Sequence, residues 1–529
     1  MKIRIADFKG EIPRRHPRLL PMEYAQLAQN TRLDDGSIAP VREAALTTTL
    51  NADAASIFLH KGVWFSFPND VDVVPGPVAD DRLYITGNGA PSMNVNGTNY
   101  PLALNAPVLA PTVVMSGEPD DTIAQFITYA YTFVTIFDEE SAPSPVSNAI
   151  LWSAGLNVTV SDFSPPQSGR GINRIRIYRS QTSASGITDL YFVSEQPIAT
   201  TSYVHDLVEE PLQEVLPSAD YDAPPSTMAG LISLPNGMMA AFDGKKVLFC
   251  EPFKPHAWPE KYRLTIDRDV VGLAGFGTTL AILTTATPYV AQGTAPENMI
   301  MEKMERDLPC VAKRGIVDMG YAAVYPSSEG LVMITGGSAD LVSRNLFTTE
   351  QWKALSPSSF HAEQYEGRYF FTHTPAGDSV QKMGIFDITG AQPYYIETDE
   401  APITMTRDAS TGALYMLLTA RNVHRWDAPG AELKPQTWRS RLFQLVSPVS
   451  YSGVLVEADD PIGAIPAGET PNLTRIYADG VLVREFNTLN APVRMPSGFQ
   501  SRKWQIEIIG YVPITGISMA QSYDELGVP

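Results

Sequence analysis

Proline and glycine interrupt this chain too often to leave room for long helices: 43 prolines and 38 glycines are spread over 529 residues, and both residue types end helical runs. What lies between them is short, rich in β-branched and aromatic residues, and punctuated by turn signals, which is the pattern of strands joined by hairpins. The clearest case is Met238-Met239-Ala240-Ala241-Phe242 followed by Asp243-Gly244 and Lys245-Lys246-Val247-Leu248-Phe249. An Asp-Gly pair between two such runs predicts a type I′ turn. A hydrophobic share of 44% is enough to give such sheets real cores, so the expected class is all-β.

The length suits about three domains at roughly 150 residues each. Residues 1–45 read as an N-terminal docking arm. The run Lys9-Gly10-Glu11-Ile12-Pro13-Arg14-Arg15-His16-Pro17-Arg18 is basic and proline-containing and should run extended, and Met22 to Asn30 has the composition of a short helix. The basic cluster has two readings, a solvated tail or a segment that docks on an acidic partner. Residues 46–108 hold strands at Ser56 to His60 and Gly62 to Phe67, joined through Lys61-Gly62, and another at Asp81 to Thr86.

Residues 109–222 read as a separate β-sandwich. Phe126 to Thr135 is a long strand, Asp138 to Pro145 a polar turn, and Arg174-Ile175-Arg176-Ile177-Tyr178-Arg179 alternates Arg with Ile and Tyr, predicting one wet and one buried face. About seven short strands in this span fit an immunoglobulin-like or fibronectin III-like module. The paired Cys and core Trp of an antibody domain are missing from this reading, which favours the fibronectin type. From 223 to 430 hairpins recur at about 40 residues, close to the spacing of propeller blades. The expected architecture is an irregular β-propeller built from 46–108 and 223–430, with 109–222 inserted. A C-terminal β-sandwich over 431–529, with strands at Ser452 to Glu457, Arg475 to Val483 and Trp504 to Gly510, completes the chain.

Chemistry is hard to find in these residues. The histidines, His16, His60, His205, His256, His361, His373 and His424, form no metal-binding pair or helix motif, so neither a metal nor a cofactor is expected. His256, in Lys254-Pro255-His256-Ala257-Trp258-Pro259, is read as packing beside Trp258 rather than as catalytic. Phosphate-cradling loops and nucleophile elbows are absent. The acidic pairs Asp120-Asp121, Glu139-Glu140 and Asp459-Asp460 sit in turns, where solvated acids are the expectation rather than two carboxylates facing across a glycosidase cleft. Asp408-Ala409-Ser410-Thr411-Gly412 falls short of a sialidase box. No catalytic, cofactor-binding or metal-binding residue is therefore predicted, and the chain is read as a non-enzyme. The only cysteines, Cys250 and Cys310, are expected as buried thiols.

The net charge of −19 and pI near 4.8 disfavour nucleic-acid binding, which needs Lys and Arg to displace condensed counterions. The N-terminus lacks a signal-peptide core and no apolar run is long enough for a membrane helix, so the expectation is a soluble protein made in a cytoplasm.

The run Leu234-Pro235-Asn236-Gly237 through Asp243-Gly244, continuing by Val247-Leu248-Phe249-Cys250-Glu251-Pro252 to Pro255-His256-Ala257-Trp258-Pro259, resembles a family of tailed-phage virion proteins. So do Gly293-Thr294-Ala295-Pro296-Glu297, Leu308-Pro309-Cys310 to Val317, Glu139-Glu140-Ser141-Ala142-Pro143-Ser144-Pro145 with Arg176-Ile177-Tyr178-Arg179, and the stretch from Pro21 to Pro40. Together these cover most of residues 10–350, and the motifs are structural rather than catalytic. The resemblance implies a tail tubular protein B or nozzle type of short-tailed phage: a β-propeller body, typically hexameric, below the portal and adaptor, forming the distal DNA conduit. It also implies a virion location, DNA only in transit, and an inserted module that braces fibres or neighbouring subunits. An acidic conduit wall lets DNA slide without counterion-releasing contacts. The rival readings are a receptor- or glycan-binding virion protein and a carbohydrate-degrading propeller. Exposed loop aromatics in 109–222 or 431–529 would mark the first. Two or three convergent carboxylates with an arginine cluster in the central cleft would mark the second.

Overall fold

The computed structural model describes residues 2–182, 188–206, 213–390 and 392–526; parts of the 109–222 module thus lie outside the described residues. The chain divides into two compact units, one of Met1–Asn69, Leu283–Pro288 and Lys303–Pro529, the other of Asp70–Ile282 and Tyr289–Glu302. Strands dominate, and a single short α-helix, Thr349–Ala354, is present among the described residues.

In the second unit three four-stranded antiparallel meanders follow one another. They begin with Asp72–Pro75, Ala229–Ser233 and Val270–Phe276, and these first strands lie side by side. The first unit holds three more, beginning with Val317–Asp318, His361–Tyr365 and Thr404–Arg407, again with first strands adjacent. Four-stranded meanders whose first strands neighbour one another are propeller blades, and the chain is an irregular β-propeller. In the last meander the fourth strand comes from the far end of the sequence: Ala45–Thr49 pairs with Asn422–Arg425.

Turn chemistry explains the hairpins, with one correction. At Lys61-Gly62 both central residues have positive φ (48° and 79°), as a type I′ turn demands. At the strong hairpin the ladder runs to Asp243↔Lys246, so Gly244-Lys245 form the loop, and of these only Gly244 is left-handed. That is the II′ pattern, not the I′ turn expected at Asp243-Gly244.

The inserted sandwich sets one sheet (Thr112–Met115, Val158–Ser161, Ser202–His205) over another (Tyr129–Thr135, Ile172–Thr182, Thr188–Pro197). Its core contains Tyr129, Tyr131, Phe133, Val158, Val160, Ile175 and Ile177. It also contains a tryptophan, contrary to expectation: Trp152 is buried there and its Nε1 donates to Leu156 O at 2.8 Å. One edge is covered by Ser141-Ala142-Pro143-Ser144-Pro145-Val146-Ser147. The N–H groups of Ser141, Ser144 and Ser147 donate to the carbonyls of Phe133, Tyr131 and Tyr129 at 2.8–2.9 Å. Their hydroxyls accept from the N–H groups of the same three residues at 3.0–3.1 Å. Three residues per turn of an extended proline-rich segment bring every third side chain to one side, so serines at this spacing serve an edge that a proline-containing strand cannot pair.

The first 45 residues are not an arm. Lys2–Ile5 pairs with Ile514–Ala520 in a sheet of the C-terminal sandwich. Lys9–Glu11 lies between Tyr394–Thr398 and Tyr24–Gln29, and the latter pairs with Gln436–Ser440. One eleven-stranded sheet therefore runs from the fifth blade through the N-terminal strands into the C-terminal sandwich. Tyr24 to Gln29 has helix-forming Ala, Gln and Leu, yet it is a strand, because open edges on both sides outweigh propensities worth only tenths of a kcal/mol per residue. Gly10 is required by close approach: a Cβ there would stand 2.5 Å from Tyr395 O. Ile3, Ile5, Phe8 and Ile12 are buried in the main core with Trp438, Trp504, Val454 and Ile506.

Two outcomes follow from this burial. Phe8, fully buried with its ring edge-on to Trp438 at 5.0 Å, should cost about 3–5 kcal/mol when changed to Ala, read by denaturant unfolding followed through tryptophan fluorescence. Burial raises the Glu11 carboxyl from 4.5 to about 8, against the hydrogen bond it accepts from Ala28 N, with Glu397 adding to the rise. A carboxyl raised in the folded state stabilises below its unfolded pKa and loses that contribution as pH climbs from about 4.5 to 8. Glu11→Gln should therefore flatten the fall in stability across that window and be more stable than wild type at pH 8, as measured by melting at both ends of the range.

Candidate functional site

The acidic pair Glu139-Glu140 is the first departure from the sequence reading. Both side chains are buried rather than solvated, because arginines from the neighbouring strand and loop close over them. Arg170, wholly inaccessible, donates through Nη2 to Glu139 Oε2 at 2.5 Å. Arg176 Nη1 donates to Glu140 Oε2 at 2.9 Å, and Tyr178 Oη donates to Glu140 Oε1 at 2.6 Å. Arg174 and Arg176 also grip Glu195 at 2.9 and 2.8 Å. The face expected to be wet is an ionic layer, and Tyr178 lies on it with Arg174 and Arg176, where two-residue alternation along the strand places it.

His256 joins this layer. Burial pushes its imidazole down to about 4, against the pull of Glu139, so it is neutral near pH 7 and its Nε2–H donates to Glu140 O at 3.0 Å. Its Nδ1 lies 3.8 Å from Glu139 Oε1. Trp258 is buried alongside, donating from Nε1 to Pro255 O at 2.8 Å. A neutral histidine spent on a backbone carbonyl, facing a carboxylate already paired with arginine, is a joint rather than a proton shuttle. The other acidic pairs remain exposed.

A cleft of about 530 Å³ opens in the first unit, lined by Arg32, Asp34, Glu366, Arg368, Asp387 and Tyr394 among others. Its carboxylates are all engaged: Arg32 pairs with Asp34 and Glu366 at 3.2 and 3.3 Å, and Arg368 with Asp387 at 3.0 Å and also with Asp34. Burial draws Asp387 upward, but hydrogen bonds from Thr389 and Tyr394 and the charge of Arg368 outweigh it and hold the carboxyl below its ordinary range. A glycosidase acid needs the opposite shift. Arg368, Asp387 and Tyr394 also belong to the second, third and fourth strands of their blade, away from the first strands.

On a first strand, His361–Tyr365, stands Glu363, raised by burial against hydrogen bonds from the Gln364 and Arg407 backbone and the charges of Arg407 and Arg314. Arg314 is lowered by burial to about 10. One carboxyl between two arginines is an ion cluster, not a two-carboxylate pair. His373 is pushed down by burial to about 4 and bonded to Leu355 O at 3.0 Å, and His205 meets Tyr129 Oη at 2.9 Å. Among the described residues no group of His, Cys, Asp and Glu is arranged to hold a metal ion, and no helix is long and apolar enough to cross a membrane. Cys250 and Cys310 are free and buried, and burial pushes both thiols up to about 12.

No family profile and no curated protein matches the sequence. Similar solved structures include a mitotic checkpoint complex (TM-score 0.29, 8% identity, 72% of this chain and 94% of that one) and the dihydro-heme d1 dehydrogenase NirN (0.26, 11%, 61% and 62%). PorZ of the Porphyromonas gingivalis type-IX secretion system is also similar (0.28, 9%, 88% of this chain and 48% of that one). At these scores the architecture rests on the strand pairing described above.

Removing one partner of a buried ion pair strands the other charge, at about 3–5 kcal/mol. Glu139→Ala, which leaves Arg170 uncompensated, should lower thermal stability sharply, whereas Asp459→Ala at an exposed turn should stay within about 0.5 kcal/mol. Calorimetry of the two variants beside wild type measures the contrast.

Proposed function

We propose that this chain is a structural component of a short phage tail, a nozzle-type subunit of the distal conduit for DNA and a platform for fibres. One contact carries the reading. His256 lies in the Pro255-to-Pro259 stretch and Glu140 in the Glu139-to-Pro145 stretch, both of which carry the resemblance to tailed-phage virion proteins. They are 116 residues apart in sequence and meet at 3.0 Å. Glu139 and Glu140 in turn bond Arg170, Arg176 and Tyr178, of which the last two belong to the same pattern. Segments that resemble one family and fold onto each other support common descent of the whole arrangement more strongly than isolated turn sequences would.

In this reading the chain works through surfaces rather than a pocket. Copies assemble as a ring, typically a hexamer, between adaptor and portal-side proteins and the fibres, and DNA passes without specific contacts. The net charge of −19 suits a wall along which a polyanion slides. A second reading, a receptor- or glycan-binding virion protein, is favoured by one observation: on the inserted module Phe126 and Ile123 are 74% and 62% exposed, and aromatic side chains anchor such contacts.

Electron microscopy of assembled particles tests the first reading. The expected result is density for this chain in a closed ring at the tail. A chain that never enters the particle and stays monomeric in native mass measurements would sink it, and binding of the free chain to host cells that Phe126→Ala abolishes would favour the second.

A further inference from the structure

The basic stretch read as part of an arm is held rigidly on the surface of the first unit. Arg14 N donates to Leu346 O at 2.9 Å, and Leu442 N donates to Pro17 O at 3.1 Å. Turns closed by Arg15 N to Ile12 O and Leu19 N to His16 O each enclose one of these anchors. The side chains draw in two more cations: Arg14 Nη1 donates to Arg344 O at 2.6 Å, and Arg441 Nη2 donates to Arg18 O. Arg14, Arg15, His16, Arg18 and Arg344 are exposed and Arg441 half-buried. None of the five guanidiniums has a carboxylate within ion-pair distance among the described residues, although Glu23 stands near enough to Arg441 to feel its charge.

Five arginines gathered without counter-charges work against folding, so the arrangement serves something outside the chain. Apolar side chains share the patch: Leu19 is 72% exposed and Met22 43%. Leucine and methionine gain nothing from a phosphate backbone, whereas an apolar knob among arginines has the composition of a protein interface. These cations are already counted in the net charge of −19, so the remainder of the chain is more acidic still. That excess of negative charge is opposite in sign to the patch, as a partner copy's complementary contact requires.

We propose that the Arg14–Arg18 patch, with Arg344, Arg441 and Leu19, docks on an acidic face of a second copy of this chain. A cationic patch cannot complement itself, so the contact is heterologous, head to tail, the kind that closes rings when the rotation permits. The rigid backbone keeps the ordering cost of the contact low. The inference rests on the ring reading of the function and names the surface that makes the ring.

The test uses the full chain. Sedimentation and native mass spectrometry in low and high salt should show wild type as an oligomer that salt weakens. Arg14→Glu/Arg15→Glu/Arg18→Glu should weaken association about a hundredfold, because like charges brought together cost several kcal/mol. Leu19→Ala should weaken it in low and high salt alike. If the triple variant misfolds by circular dichroism, Arg15→Gln/Arg18→Gln, both exposed, takes its place with a smaller expected loss. The inference is overturned if wild type is monomeric, if the variants assemble like wild type, or if the patch variants lose binding to duplex DNA while the oligomer persists. Failure here is distinguishable from failure of the tail reading: a chain seen in particles whose rings ignore these substitutions overturns only the docking surface.

Discussion

Much of the first unit depends on main-chain pairing by strands that sequence alone assigned to a loose arm. Without Lys9–Glu11 and Tyr24–Gln29, the edges of Tyr394–Thr398 and Gln436–Ser440 would present unpaired N–H and C=O groups where the core is dry. With them, a blade and the C-terminal sandwich share one sheet. Ala45–Thr49 closes the last blade in the same way. Segments remote in sequence are thereby tied by non-local pairing, which slows folding but makes local fraying of the sheet costly.

The second unit uses a different device where its sandwich meets the loop that holds His256. A buried layer of Arg170, Arg176, Glu139 and Glu140 is a poor source of net stability, since desolvation consumes most of the Coulombic gain. What such a layer supplies is geometry. Arg170 fits only where Glu139 is, and Tyr178 and His256 read the side chain and the carbonyl of Glu140. An apolar contact of the same area would tolerate sliding; this one does not.

Local signals were legible and distant partners were not. The hairpins at Lys61-Gly62 and Phe242 to Val247 could be seen because both strands and the turn lie within a few residues. The fate of Met22 to Asn30 could not, since what makes it a strand is an edge at Gln436–Ser440, some 400 residues on. Glu139-Glu140 looked like a solvated turn for a related reason: the acids sit next to Asp138 in a polar run, and the arginines that bury them come from 170 and 176. The alternation at Arg174 to Tyr178 carries a signal, two arginines on one strand face, and the same alternation puts Tyr178 on that face with them rather than with Ile175 and Ile177. Trp152 is not legible as a core residue, since the strand Ile150–Trp152 is too short a run to stand out in the sequence.

The charged groups that most resemble chemistry are the most fully neutralised. Asp34, Glu366 and Asp387 each have an arginine, and Glu139 and Glu140 each have one as well. Of these acids Asp387 is held below its ordinary range by hydrogen bonds from Thr389 and Tyr394 and the charge of Arg368, which outweigh its burial and make it a poor general acid. Arg14, Arg15 and Arg18, with Arg344 and Arg441, stand at one surface site without a carboxylate at ion-pair distance among the described residues. Arginines that meet no carboxylate at that site leave their charge to be balanced from outside the chain, and the docking proposed above would supply the balance.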